Sequence, residues 1–65
     1  MKYLDQIIVL QKHIYDLSDE NRRLANLQNS AETDEVNAEL SKRISENGEE
    51  VVDTLNAITA LKEVK

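Results

Sequence analysis

The chain has 65 residues, 40% of them hydrophobic and 32% charged, with 8 basic and 13 acidic side chains and a net charge of −5. A chain this short supports one domain (1–65) with a marginal core, because it buries only ~60% of its unfolded surface. With no Cys and a single His, disulfides, thiolate metal sites and a histidine-built zinc site are excluded, which leaves association with other chains as the stabilising device.

The longest apolar run is Ile7-Ile8-Val9-Leu10, far short of the ~20 residues of a membrane-spanning helix. No secretory pattern follows Lys2, so no membrane association and a cytoplasmic location are expected. A pI near 4.7 disfavours a nucleic-acid partner held through its phosphates. The acid is uneven: four basic against five acidic residues over 1–33, then four against eight over 34–65. With no Pro and one Gly, helix is the economical reading throughout.

The first predicted helix covers about 3–28. Tyr3, Ile7, Leu10, Ile14, Leu17, Asn21, Leu24 and Gln28 recur at spacings of 4 and 3 without interruption, which is a heptad stripe. Ile7, Ile14, Asn21 and Gln28 take position a; Tyr3, Leu10, Leu17 and Leu24 take position d. Ile at a with Leu at d suits two-stranded packing, and a single Asn at a fixes register. Asn21 is thus either a core residue paired with its symmetry mate or a solvent-facing residue at a helix break. Leu4, Ile8, Val9, Tyr15 and Leu27 lie outside this seam, and so broad an apolar face belongs to a bundle helix rather than to a strict two-stranded coil.

The pattern fails between Asn26 and Glu35, where a turn is expected near 29–33 with Ser30 or Thr33 as the next N-cap. The second predicted helix covers 34–64. It carries Val36, Leu40, Ile44, Val51, Leu55 and Ile58 as inward positions. Asn47-Gly48-Glu49-Glu50 resembles a capping box, yet one Gly is a weak breaker, and a continuous or slightly kinked helix is preferred here.

These elements make an all-α chain: a two-helix hairpin with coiled-coil-like packing, assembling as a homo-oligomer. A dimeric four-helix bundle is the leading architecture, and an extended parallel dimeric coiled coil is the alternative. The expected oligomer interface is Tyr3, Ile7, Leu10, Ile14, Leu17, Asn21 and Leu24 with Val36, Leu40, Ile44, Val51, Leu55 and Ile58.

No catalytic constellation is present, and the chain is read as no enzyme. His13, with Asp16 three residues on, reads as a surface histidine. Glu46, Glu49, Glu50 and Asp53 form a carboxylate row that reads as a solvated face, so neither a metal nor a cofactor is expected. A small oligomeric helical protein acting through protein–protein interaction (adaptor, assembly chaperone or inhibitor) fits these features, and its partners are a second copy and an unidentified protein. The apolar surplus beyond one seam motivates this expectation. The alternative is a module that binds or sequesters a small anionic, nucleotide-like ligand between helices, with Arg22 and Arg23 as anion contacts beside Lys12 or His13.

Overall fold

A computed structural model of the protein describes residues 2–64. Two helices account for nearly all of them: α1 (Leu4–Asn29) and α2 (Asp34–Glu63). They are joined by the four residues Ser30-Ala31-Glu32-Thr33, which is where the polar stretch forecasts a turn. The chain is therefore folded back on itself rather than running as one continuous helix. Gln28 meets Ser41 near the turn, Asn21 meets Asn47 halfway along, and Gln11 shares a groove with Lys62 towards the open end. The helices are thus antiparallel neighbours.

The turn is built from local hydrogen bonds rather than from glycine. Ser30 N–H donates to the Leu27 carbonyl and Ala31 N–H to the Gln28 carbonyl, closing the last turn of α1. Thr33 then takes an extended conformation (φ −131°, ψ 154°), and its Oγ1 accepts from the Val36 N–H at 3.2 Å. This is an N-cap, satisfying one of the orphan donors at the start of α2. Asp34 and Glu35 follow in the first turn and Lys62 lies in the last, so both ends complement the helix dipole.

Helix α2 runs through Asn47-Gly48 without a break. The Asn47 amide is spent on α1 rather than on capping Glu50. Among the described residues no glycine has positive φ, and a Cβ added to Gly48 meets nothing within 4 Å. Nothing inside the chain requires glycine there, although glycine costs about 1 kcal/mol against alanine in a helix interior.

One seam holds the hairpin together. Ile7, Leu17, Leu24 and Ile58 are its buried apolar residues, and Thr54 is buried with them. Tyr3, Leu10, Ile14, Asn21 and Gln28 complete the α1 side, half-buried; Leu40, Ile44, Asn47, Gly48, Val51 and Leu61 do so on α2. The α1 side is the forecast heptad stripe. On α2 the inward series runs 40, 44, 47, 51, 54, 58, 61, again in steps of 4 and 3. Val36 and Leu55 fall outside it and stay about half exposed. Thr54 takes the seam position because its hydroxyl donates to the Glu50 carbonyl at 2.7 Å, which removes the cost of burying an unpaired polar group. Among the described residues no buried side-chain polar atom lacks a partner, and no helix is long and apolar enough to cross a membrane.

Thr33→Ala removes the only side-chain cap seen at either helix start. Urea unfolding followed by circular dichroism should show a loss of about 1 kcal/mol. A Thr33→Ser control retains the hydroxyl and should keep most of the stability.

Candidate interaction surface

Polar contacts in the seam set how the helices align. Asn47 Nδ2 donates to Asn21 Oδ1 at 2.9 Å, and Asn21 Nδ2 points back to the Ile44 carbonyl at 3.4 Å. Asn21 therefore faces inward, but its partner is Asn47 of the same chain. Nearer the turn, Gln28 Nε2 donates to Ser41 Oγ at 2.6 Å and approaches the Asn37 carbonyl at 3.4 Å. A slip of α2 by one helical turn would break the part-buried Asn21–Asn47 pair, which is how a shielded amide selects register.

His13 belongs to neither seam nor cleft. Its Nε2 stands 3.3 Å from Glu50 Oε1 across the helices, with both side chains about half exposed. An exposed contact of this kind contributes below about 1 kcal/mol. Asp16, its sequence neighbour, lies instead in an open concavity with Asp19, Glu20 and Arg23 above Leu24 and Leu27. Three carboxylates line that concavity along with Arg23, while Arg22, turned about 100° further round the helix, is not part of it. Within one chain, Arg22 and Arg23 do not share a concavity. Among the described residues no group of three or more His, Asp or Glu side chains is placed to hold a metal.

The surface outside the seam divides into two unlike flanks. At about 100° per residue, Leu4, Ile8, Gln11, Tyr15, Ser18, Arg22 and Ala25 line one flank of α1. Asp34, Ala38, Ser41, Ser45, Val52, Leu55, Thr59 and Lys62 line the corresponding flank of α2, with Gly48 where that flank meets the seam. The two lie on the same side of the hairpin, since Gln11 and Tyr15 form a groove with Leu55 and Lys62 over the seam residues Ile14 and Ile58. Of the chain's 13 acidic residues only Asp34, at the turn end, falls in either stripe, whose other charges are Arg22 and Lys62. The opposite flank carries the His13–Glu50 contact and the Asp16-Asp19-Glu20 cluster. It also holds Val9, and an apolar hollow at the turn end lined by Leu27, Ala31, Val36 and Leu40 with Glu32 at its rim.

The expected interface residues thus separate by location. Tyr3, Ile7, Leu10, Ile14, Leu17, Asn21, Leu24, Leu40, Ile44, Val51 and Ile58 face the partner helix of the same chain, Leu55 sits on the less acidic flank, and Val36 on the acidic one. Asn47 and Thr54 are polar, so apolar character alone does not mark them as inward positions; the unbroken 4-3 phase through Ile44, Val51 and Ile58 does. No protein-family model matches the chain, and no similar curated protein or solved structure was found for it.

Asn47→Leu should lower stability by about 1 kcal/mol, because Asn21 Oδ1 loses its donor while only half shielded from water. Asn21→Leu with Asn47→Leu should recover most of that loss. A double-mutant cycle in urea reads this as a coupling between the two positions; purely additive losses would contradict the role given to the pair.

Proposed function

We propose that this chain is a small, non-enzymatic, homo-oligomeric helical protein that acts through protein–protein contact, as an adaptor, assembly chaperone or inhibitor. One observation carries this reading. The seam buries four apolar side chains, while nine large ones, from Leu4 to Val64, remain 44–67% exposed. Single exposed apolar residues are ordinary, but contiguous ones mark interaction surfaces.

The bulk measures agree. The hairpin exposes 5134 Å², against about 4,200 Å² for a compact monomer of its mass. Its radius of gyration is 15.2 Å, against about 11 Å for a compact chain of this length. A dimeric four-helix bundle brings both values back towards the usual range. The anionic-ligand alternative gains no support from the carboxylates around Arg23.

Light scattering across a wide concentration range should give twice the 7.4 kDa chain mass, with a thermal midpoint that rises with concentration. A mass held at the monomer value throughout overturns the oligomeric part of this reading. For the outward part, the acidic turn end favours a basic amphipathic helix, which its field would steer. A Lys-rich amphipathic peptide should shift the amide resonances of Leu27 and Val36, and the shift should weaken as salt is raised. An acidic peptide of equal hydrophobicity should leave them unmoved. Equal response to both peptides, or to neither, counts against this surface.

A further inference from the structure

We infer that Asn47-Gly48 is a self-modifying site that the folded hairpin holds closed: once α2 opens, the Asn47 side chain cyclises onto the Gly48 backbone nitrogen and loses its amide as ammonia. The inference stands on the single hairpin and is independent of the self-association proposed above.

The reactive pair is written in the sequence. Of the chain's six asparagines only Asn47 precedes glycine. Cyclisation brings the backbone nitrogen of the following residue onto the side-chain carbonyl carbon, Cγ. A Cβ on that residue crowds the approach and narrows the backbone rotations that allow it; glycine has no Cβ and the widest φ, ψ freedom. The step needs only water and base. Base removes the Gly48 N–H proton, the nitrogen bonds to Asn47 Cγ, and the bond from Cγ to the amide nitrogen breaks. That nitrogen takes up a proton and leaves as ammonia, and a five-membered succinimide remains. Water then opens the ring at one carbonyl or the other, giving aspartate or isoaspartate at position 47.

The fold withholds the same pair. Both residues lie in the middle of α2, where the Gly48 N–H donates to the Ile44 carbonyl four residues back. Ring closure also demands a rotation at Asn47 out of helical ψ. From α1, Asn21 braces both reacting groups. Its Oδ1 accepts from Asn47 Nδ2 at 2.9 Å, holding the amide that would leave, and its Nδ2 points to the Ile44 carbonyl at 3.4 Å, the acceptor of the Gly48 N–H. Packing does not call for glycine at 48, since a Cβ there meets nothing within 4 Å. What glycine does is weaken the helix at the bond that has to open.

Both products harm the seam. Neither carboxylate can donate to Asn21 Oδ1 as the amide does. Aspartate adds a charge to a chain of net −5 and sets it three residues before Glu50, a destabilising like-charge spacing on a helix. Isoaspartate routes the main chain through the side-chain carbon, and the extra backbone atom interrupts the helical hydrogen-bond ladder. The change runs one way, so chains that spend time open are marked and chains that stay folded are not.

The test keeps the full chain in warm, mildly alkaline buffer, at a concentration where circular dichroism shows the helices, and follows conversion of amide to acid by peptide mass mapping. Position 47 should convert at least tenfold faster in urea than in the folded chain, because the rate tracks the open population. Gly48→Ala in urea should slow it at least tenfold. In the folded state Asn21→Leu should raise the rate about fivefold, and Thr33→Ala, which weakens α2 at its far start, should raise it less. No conversion at 47 in urea, or conversion shared evenly with other asparagines such as Asn29, overturns the site. Equal rates folded and unfolded overturn its closure by the fold. Equal acceleration by Asn21→Leu and Thr33→Ala overturns the part given to Asn21. If Asn21→Leu loses its helices, the urea comparison and Gly48→Ala still decide the site.

Discussion

A pair of helices has one seam, and one seam shields only a narrow stripe of each helix. The remaining features of this protein follow from that geometric constraint. The stripe on α1 is heptad-spaced from Tyr3 to Gln28 and meets a stripe of equal spacing on α2, yet among the described residues no large side chain becomes fully buried. The rod that results measures 51 × 14 × 10 Å between its Cα extremes. Few residues in such a rod have neighbours on more than one side. Cohesion per residue is correspondingly low, and the usual compensations of small domains, disulfides and metals, are closed to a chain with no Cys and one His. Surface left apolar on the flanks is then a cost to the lone hairpin.

Within that narrow seam, polar residues give up cohesion for alignment. Asn21, Asn47, Gln28 and Ser41 occupy or border positions where Leu or Ile would bury more apolar area. A uniformly apolar seam of equal heptads can slide by a turn at little cost, and a four-residue connection alone limits such sliding only near the turn. Linking Asn21 to Asn47 halfway along fixes the alignment far from the connection. Thr54 works differently. Its hydroxyl is satisfied within α2 by the Glu50 carbonyl, so it adds no register information and serves as a small, nearly apolar filler.

How far the sequence discloses this depends on which force places each residue. Helix α1 is legible because every inward position but Asn21 and Gln28 is apolar or aromatic, and period alone locates it. The turn is legible because capping chemistry is local: Thr33 needs only the Val36 N–H three residues on. Helix α2 is only half legible. Apolar character points to Leu55 and Val36, whereas the packed phase requires Asn47 and Thr54. The cross-chain meaning first attached to Asn21 likewise gives way to a partner 26 residues away, a pairing visible only once the turn has set the offset between helices. The flanks show the same limit. Leu4, Ile8 and Tyr15 are evident as an apolar surplus, but their alignment with Val52 and Leu55 on one side is a property of the folded hairpin.

Segregated charge reconciles self-association with a role towards other proteins. Were the acid spread evenly, every face of the rod would repel a second copy and every face would attract the same basic partner, so the two events would compete. Here the carboxylates Asp16, Asp19, Glu20 and Glu50 lie on one side and the turn end, with Glu32, carries its own apolar hollow. The less acidic side can then be covered without removing the acidic one from solvent. If two copies joined through the less acidic side, the acidic flanks would face outward on opposite sides of the pair, giving it two such flanks. A bivalent particle holds a repeated or polymeric partner more tightly than one site does, by effective concentration alone.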